Sequence, residues 1–222
     1  MCIRDRFNAN ASREMKETLK DLELKKVSGY VLDLRSNPGG LLESSIDISR
    51  QFIDKGIIVS TLSKDGLKEI KRGNGRSLTK KPLIVLVNEG SASASEIVSG
   101  AIRDNNRGKL VGKKTFGKGL VQSMRTLVDG SGLTVTVAKY LTPNGTDINK
   151  FGINPDIEVK MNTNPILQRE IGTKRDRQYK VGEKELVKMI KSTKLVSHFK
   201  HDSTNLLAVL KKKDENFVYS LN

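Results

Sequence analysis

Three serines stand two residues apart within Leu83–Asp104, where an apolar run gives way to a helical pattern. The run Leu83–Val87 predicts a buried strand, and apolar residues at helical spacing follow the serines. Ser91, Ser93 and Ser95 would therefore lie in or beside a turn that leads into a helix. Because backbone N–H groups are still unpaired at the start of a helix, a hydroxyl there has an anion-binding site beside it. Each of the three serines is a candidate nucleophile.

A nucleophilic serine needs a base, and the chain offers few. Its two histidines, His198 and His201, lie in a charged C-terminal segment that is typical of a solvent-exposed surface. Lysine can replace histidine when burial keeps its amine neutral. Lys118 has the right type, and it stands between Gly117 and Gly119, which allow the backbone to approach closely. On its own, however, the local sequence favours a solvent-facing loop lysine.

The loop around this lysine has a second interpretation as a phosphate-binding loop. Gly112–Lys118 has the spacing G-x-x-x-x-G-K of a P-loop. The next residue is Gly119, where a magnesium-binding serine or threonine is required. A strand-like stretch follows in place of the helix that a phosphate cradle needs. The sequence therefore does not favour nucleotide binding.

Composition narrows the class of protein. The 222 residues carry a formal charge of +15, of which +7 falls in Lys160–Asn222. The lysines are scattered among acids without interleaved aromatics, so we expect a solvated basic surface and no nucleic-acid partner. Cys2 is the only cysteine, which excludes a disulfide within the chain and leaves too few ligands for a typical zinc site. No apolar run approaches the roughly 20 residues that span a membrane.

Strands and helices alternate around the candidate residues and must position them. Apolar periodicity predicts helices over Asn10–Lys26 and Leu41–Ile53, and strands over Gly29–Leu34, Ile57–Leu62, Leu83–Val87 and Lys109–Gly112. It also predicts a loop or hairpin over Ser63–Lys80, a hairpin of Leu120–Leu127 with Leu133–Leu141, and a last strand with a turn inside it over Ile153–Val159. This order predicts an α/β fold, in which a layer of parallel strands and helices is followed by an antiparallel addition.

Two further segments stand out in this pattern. Arg35–Gly40 is a strong turn signal, because its paired glycines permit backbone conformations that other residues resist. Beyond Met161 the chain becomes polar and basic. We expect short helices there over Glu183–Ile190 and Ser203–Lys213, with Asp214–Asn222 frayed.

Five segments stand in order along the chain: GYVLDLRSNPGG, VNEGSASASEIVSGAIRDNNRG, GKKTFGKGLVQ, DGSGLTVTVAKYLTPNG and INKFGINPDIEV. Together they resemble the C-terminal processing peptidases, also called tail-specific proteases, whose catalytic core is a serine–lysine protease. They run from about Asn8 to about Val159. The resemblance implies a layered ClpP/crotonase-like α/β fold with a mixed sheet. It implies a catalytic core over residues 10–160 and a basic C-terminal extension over 161–222, helical or partly disordered.

The resemblance also implies the residues of the site. The family nucleophile aligns with Ser93, the general base with Lys118, and the glutamine that often accompanies the base with Gln122. The backbone N–H groups of Gly39 and Ala94 align with the oxyanion hole of the family. The site would therefore combine the serine cluster with the turn that follows the first strand.

This alignment implies a mechanism that needs no metal or cofactor. Lys118, kept neutral by an apolar setting, would take the proton from Ser93 Oγ as that oxygen attacks a peptide carbonyl. An acyl-enzyme would then be hydrolysed by water. Ser91 and Ser95 would serve as turn or helix-cap residues. Glu96 would support the start of the helix without taking part in the chemistry.

Family members usually carry a signal or anchor, and a PDZ domain that captures the substrate's C-terminal carboxylate. Met1–Arg6 does not resemble family sequence and is no secretory signal, so we expect residues 1–9 to be a truncation junction or an artificially joined start. The full-length relative would act outside the cytoplasm, in the periplasm, cell envelope or thylakoid lumen. Its partners would be protein or peptide substrates with accessible C-termini, and further copies of itself if it forms a homo-oligomer.

Two functions from different classes stay open at this point. The first is an active serine endopeptidase that cleaves near protein C-termini. The second is a truncated, inactive core that binds or assembles with partners. The segment EIGTKRDRQYKVGEKEL in the tail resembles the photosynthetic members of the family, which trim the photosystem II reaction-centre protein.

Overall fold

The computed structural model describes residues 6–161, 171–173, 175–201 and 219–221. Within these ranges the elements follow one another as α1 (Ala11–Leu24), β1 (Tyr30–Asp33), α2 (Leu42–Phe52), β2 (Ile57–Ser63), β3 (Lys68–Arg72), β4 (Leu83–Val87), α3 (Ala94–Asp104), β5 (Lys109–Gly112), β6 (Leu120–Thr126), β7 (Gly132–Leu141), β8 (Ile157–Glu158), α4 (Arg177–His201) and β9 (Tyr219–Leu221).

A parallel sheet of five strands, in the order β8-β5-β4-β1-β9, forms the centre of the molecule. Its central strand β4 is completely buried, as the unbroken apolar run Leu83–Val87 requires of a strand covered on both faces. One face packs against α1, α2 and α3 through residues such as Leu19, Ile46 and Ile102. The other face packs against α4 through Leu186 and Ile190.

A second sheet of four antiparallel strands has the order β3-β2-β7-β6. It consists of the β2–β3 hairpin, whose second strand lies in the predicted loop or hairpin, and the β6–β7 hairpin. The two hairpins are joined by the pairing of β7 with β2, in which Tyr140 lies opposite Thr61. The predicted α/β fold with a parallel layer and an antiparallel addition is confirmed. The antiparallel strands form a sheet of their own because β7 pairs with β2 and not with the parallel strands.

In the described part of residues 161–222, one helix is longer than the sequence predicts. The short helix expected over Glu183–Ile190 is part of the 25-residue helix α4. The longer helix forms because Tyr179, Leu186 and Ile190 bury against the parallel sheet, which adds packing that intrinsic propensity alone does not supply.

Two further predictions about this end of the chain differ from the structure. The strand expected over Ile153–Val159 is confined to Ile157–Glu158. Fraying of the last residues is wrong for Tyr219–Leu221, which pair in parallel with β1 as β9. The helix predicted over Ser203–Lys213 lies outside the described residues.

The topology places two turns side by side. β1 and β4 are adjacent and parallel, so the chain leaves both strands at the same edge of the sheet. The segment after β1 is the glycine turn predicted over Arg35–Gly40, and the segment after β4 carries Ser91 and Ser93. Within the described ranges, no helix combines the length and apolar character needed to cross a membrane.

Candidate active site

Ser93 occupies a strained backbone position immediately before α3. Its φ of 55° and ψ of −114° are dihedrals that L-residues rarely adopt, and it directly precedes Ala94, the first helical residue. Such strain costs on the order of 1–3 kcal/mol and concentrates at functional sites. The geometry presents Ser93 at a sharp strand-to-helix turn.

The three candidate serines have different surroundings. The hydroxyl of Ser91 donates to Leu34 O at 2.7 Å, and that of Ser95 donates to Asn37 O at 2.9 Å. Both serines are completely buried, whereas Ser93 is partly exposed. Ser91 and Ser95 therefore fasten the glycine turn to the serine turn, which agrees with their predicted role as turn residues. Ser93 is the one of the three that a substrate can reach.

The glycine turn lies directly against the nucleophile candidate. Gly39 has a φ of +96°, and a Cβ added to it would lie 2.5 Å from Ala92 O, 2.8 Å from Ala94 N and 2.9 Å from Ser93 Cβ. Only glycine can adopt this φ at such a close approach without displacing the backbone of the serine turn. The two predicted oxyanion donors, Gly39 and Ala94, are therefore neighbours in the structure.

The two donors differ in their present partners. Gly39 N–H donates to Asn37 Oδ1 at 2.9 Å, which closes a small turn of three residues. Ala94 N–H, among the described residues, has no hydrogen-bond partner. Phe7, near the start of the chain, also holds the glycine turn in place. Its N–H donates to Gly39 O at 3.1 Å, and its carbonyl oxygen accepts Leu41 N–H at 2.7 Å.

Glu96 connects the serine turn to the lysine loop. Its Oε2 accepts the backbone N–H groups of Ser93 at 2.9 Å and Lys118 at 2.8 Å. Its Oε1 accepts Thr115 Oγ1–H at 2.6 Å and Gly117 N–H at 2.7 Å. The carboxylate is completely buried and both of its oxygens are satisfied. A single side chain thus fixes where the backbone of Lys118 lies relative to that of Ser93.

Lys118 itself is exposed, and this corrects the apolar setting that the resemblance implied. The loop is anchored beneath it by Glu96, so the side chain extends from the surface, and it makes no ion pair within the described part of the chain. Two large apolar side chains flank the loop and are also exposed, Phe116 at 65% and Phe151 at 69%. These two phenylalanine side chains could shield the amine of Lys118 from water, but they are themselves exposed to solvent.

Gln122 lies on β6, opposite Thr136 of β7, and its side chain is exposed. A register shift between Val121 and Gln122 interrupts the strand pairing at this point. Within the described residues its side chain makes no hydrogen bond, so the structure does not connect it to the network around Glu96. Its role as companion of the base stays a prediction.

Comparison with known proteins shows the family to which the chain belongs. The model of the family described as peptidase family S41 matches residues 4–159. The chain belongs to peptidase family S41. The carboxyl-terminal-processing protease of Synechocystis sp. is 51% identical over 174 residues, which cover 78% of this chain and 40% of the relative. The carboxy-terminal processing protease CtpA of Bacillus subtilis is 36% identical over 94% of this chain and 46% of the relative.

Solved structures agree with this assignment. A photosystem II D1 C-terminal processing protease has 43% sequence identity and a TM-score of 0.64, over 68% of this chain and 40% of that one. A lipoprotein from Streptococcus agalactiae has the same fold at 20% identity and a TM-score of 0.60, over 72% of this chain and 59% of that one. The chain thus spans less than half the length of the processing proteases that it resembles.

One residue of this candidate site makes more contacts than the sequence predicts, and a second group of residues has no counterpart in the sequence prediction. The sequence predicts that Glu96 supports the helix start, and the spacing Ser93-x-x-Glu96 is that of a capping box, in which Glu96 accepts the Ser93 N–H. Its bonds to the lysine loop have no signal in the local sequence. The second group consists of Asp33, Arg35 and Asp176, which lie together at the start of the glycine turn.

The buried guanidinium of this group is strongly paired. Burial by itself lowers the pKa of Arg35, but its hydrogen bonds to Asp33 and Asp176 outweigh that effect and raise the pKa above its ordinary value. Burial likewise tends to raise the pKa of Asp176, whereas hydrogen bonds from Arg35, Gly172 and Tyr179 lower it overall. Both partners are therefore held in their charged forms.

Proposed function

We propose that this chain is the catalytic core of a serine endopeptidase that cleaves near the C-terminus of protein substrates. The observation that carries the proposal is the carboxylate of Glu96, which binds the backbone of Ser93 and of Lys118 through one oxygen. The names of the relatives, carboxyl-terminal-processing proteases, supply the substrate class. In this proposal the core comprises residues 10–160, and residues 161–222 are an extension of it.

Ser93 is the nucleophile and Lys118 the general base. The lysine accepts the proton of Ser93 Oγ–H as the oxygen attacks the peptide carbonyl, and it returns that proton to the departing amine. The C–N bond breaks, and an ester between the substrate acyl group and Ser93 is left. Lys118 then accepts a proton from the water that attacks the ester, and it passes this proton to Ser93 Oγ as the ester bond breaks and the new C-terminus is released. General-base catalysis of this kind typically contributes about 10²- to 10⁴-fold in rate.

The oxyanion that forms during attack is bound by Gly39 N–H and Ala94 N–H. Ala94 also lies at the N-terminus of α3, where the helix dipole favours negative charge. Gly39 N–H now donates to Asn37 Oδ1. To bind the oxyanion it must break this hydrogen bond or donate to Asn37 Oδ1 and the oxyanion at once. Losing one donor of an oxyanion hole typically costs on the order of 100- to 1000-fold in rate.

The substrate supplies the apolar cover that Lys118 lacks in the free chain. A lysine acts as a base only in its neutral form, which loss of surrounding water favours. A peptide lying across the exposed side chains of Phe116 and Phe151 would exclude water from the neighbouring amine and bury apolar surface at the same time. The base would then become competent when the substrate is bound.

The wider setting follows from the relatives. Their names place them in cyanobacteria, chloroplasts and other bacteria, and we propose an extracytoplasmic location for the protein, in the periplasm, cell envelope or thylakoid lumen. The partners are proteins or peptides with accessible C-termini, without nucleic acid.

Cleavage of an unstructured protein by this chain tests the proposal. Ser93→Ala should abolish turnover, and Lys118→Ala should reduce it by at least about 100-fold. Lys114→Ala is the matched control, since Lys114 is an exposed lysine of the same loop and should leave turnover unchanged. Mass spectrometry of the products would show whether the cuts lie near the substrate's C-terminus.

Two results would reject parts of the proposal. Turnover of Lys118→Ala equal to that of Lys114→Ala would remove Lys118 as the base. A wild-type chain that binds the substrate without cleaving it would favour the alternative function, a binding or assembly module.

A further inference from the structure

Arg35 is the first residue of the glycine turn, which also carries Gly39, and it is almost completely buried, with 3% of its side chain exposed. Its backbone N–H donates to Asp33 Oδ1 at 3.0 Å. Its Nε donates to Asp33 Oδ1 at 2.9 Å, and its Nη2 donates to Asp33 Oδ2 at 2.5 Å. Asp33, the last residue of β1, therefore binds both the main chain and the side chain of Arg35.

The other edge of the guanidinium is held by Asp176, which is 141 residues away in sequence. Nη1 of Arg35 donates to Asp176 Oδ1 at 3.0 Å, and Nη2 donates to Asp176 Oδ2 at 2.7 Å. Nη1 also donates to Gln178 Oε1 at 3.1 Å. This two-bond pairing fixes the plane of the guanidinium as well as its distance, which a single ionic contact would not do.

Asp176 is itself fixed by the start of α4. Its Oδ1 accepts Tyr179 N–H at 3.1 Å, as a helix cap does, and its Oδ2 accepts Gly172 N–H at 2.9 Å. Gln178 is anchored as well, because its Nε2 donates to Val159 O at 2.8 Å. The carboxylate that meets Arg35 therefore belongs to a rigid element beyond the residues matched by the family model.

The glycine turn is held on its opposite side by the serine turn. Asn88 Oδ1 accepts Ser36 N–H at 2.7 Å, and Asn37 O accepts both Ala92 N–H at 3.1 Å and the hydroxyl of Ser95. The turn thus lies between the serine turn and the Arg35 group. A shift of Arg35 would therefore move the glycine turn, which carries Gly39, relative to the serine turn, which carries Ser93.

We propose that Asp176 is a positioning residue of the oxyanion turn. The C-terminal extension would contribute to catalysis through this carboxylate, which holds Arg35 and so keeps Gly39 N–H aimed at the reacting carbonyl beside Ser93. The inference rests on the proposed function, because the role of Gly39 is part of that function. It adds a residue from outside the catalytic core.

Asp176→Asn tests the proposal, and Glu185→Gln is its matched control. Glu185 lies on the same helix and accepts Lys109 Nζ–H at 2.7 Å, so its substitution also weakens the docking of α4 on the sheet, but far from the turn. Steady-state cleavage by Asp176→Asn should show kcat lowered by about 10- to 100-fold with KM nearly unchanged, as misplacement of a catalytic group produces. Glu185→Gln should match the wild type in both constants.

A second readout does not depend on activity. Amide hydrogen exchange of the peptide that spans residues 34–41 should accelerate in Asp176→Asn and stay at the wild-type rate in Glu185→Gln. Asp176→Glu keeps the charge and should recover part of kcat. All rates are referred to the folded fraction, measured well below the thermal midpoint of each variant, so that a loss of folded protein does not count as a loss of kcat.

The outcomes separate this inference from the proposed function. If Asp176→Asn has the kcat and the exchange rate of Glu185→Gln, then Asp176 only docks the helix and the inference is overturned, while the protease assignment stands. If Ser93→Ala cleaves as fast as the wild type, the protease assignment fails. The exchange rates of residues 34–41 then still decide whether Asp176 positions the turn.

Discussion

The backbone N–H groups of Ser93 and Lys118 donate to the same atom, Oε2 of Glu96, at 2.9 Å and 2.8 Å. The nucleophile candidate and the base candidate are 25 residues apart in sequence, and this one oxygen sets the spacing of their main chains. The other oxygen of Glu96 holds Gly117 and Thr115 of the same loop. Because the carboxylate has no access to water, its four hydrogen bonds are its whole solvation.

Glu96→Gln should therefore damage both stability and turnover. The amide keeps the shape of the carboxylate, but its NH₂ group would face two N–H donors where an oxygen now accepts them. We expect a loss of about 3 kcal/mol in the free energy of unfolding, since buried donors are left unpaired. We also expect kcat to fall by about tenfold or more, because the spacing of Ser93 and Lys118 is no longer fixed. Urea unfolding and peptide cleavage measure the two effects.

Glu89→Gln is the control for this substitution. Glu89 lies in the turn that precedes α3, but its side chain is 59% exposed and contacts Lys113 at the surface. Its loss should change the free energy of unfolding by well under about 1 kcal/mol. If Glu96→Gln were as active and as stable as Glu89→Gln, the carboxylate would have no part in holding the lysine loop.

The strained backbone of Ser93 yields a comparison between two inactive variants. With φ at 55° and ψ at −114°, an L-residue at this position is strained, and glycine is not. Ser93→Gly should therefore be more stable than Ser93→Ala by about 1 kcal/mol, because alanine keeps the backbone strain that glycine relieves. Thermal unfolding of both variants checks this. If Ser93→Ala were the more stable of the two, the strained geometry would be wrong.

The elements that carry strong local signals could be predicted from the sequence, and the contacts between distant residues could not. The apolar run Leu83–Val87 specifies a buried strand by itself, and the glycine turn is encoded in its own residues. The pairing of Arg35 with Asp176 has no such signal, because the two ordinary charged side chains are 141 positions apart in the sequence. The exposure of Lys118 agrees with its local sequence, which favours a solvent-facing loop lysine, and the apolar setting was implied by the resemblance alone.

The ion pair of Asp176 with Arg35 should make stability depend on pH in the acid range. Burial alone would raise the pKa of Asp176. The hydrogen bonds that Asp176 accepts, above all from Arg35, outweigh this effect and hold the pKa below its ordinary value in the folded protein. A lowered pKa means that the contribution is complete above the unfolded pKa of about 3.9 and is lost as the pH falls through the lower, folded value. The free energy of unfolding of the wild type should exceed that of Asp176→Asn by about 3 kcal/mol at pH 7.

This difference should stay constant from pH 8 to about pH 5 and shrink below about pH 4. Glu185→Gln again provides the comparison, since the Glu185 side chain lies nearer the surface, at 13% exposed, and pairs with two lysines. A difference between wild type and Asp176→Asn that grew on acidification would contradict the assigned direction of the pKa.

Asn37 offers the most direct test of the oxyanion turn. Its Oδ1 accepts Gly39 N–H, so it occupies the position from which an oxyanion would have to receive that hydrogen bond. Asn37→Asp would put a full negative charge there. The charge would bind Gly39 N–H more strongly than the amide does and would repel the developing oxyanion. We expect kcat to fall by about 100-fold, the typical cost of one lost oxyanion donor, with a smaller change in KM.

The charge predicts a pH dependence that the wild type does not share. Protonation of the introduced carboxylate removes the repulsion, so kcat of Asn37→Asp relative to wild type should rise as the pH falls toward the ordinary aspartate range of about 4. Asn74→Asp is a surface control, because Asn74 Oδ1 accepts Arg76 N–H in an exposed turn of the same kind. If the two aspartate variants had equal kcat at neutral pH, Gly39 N–H would not be an oxyanion donor.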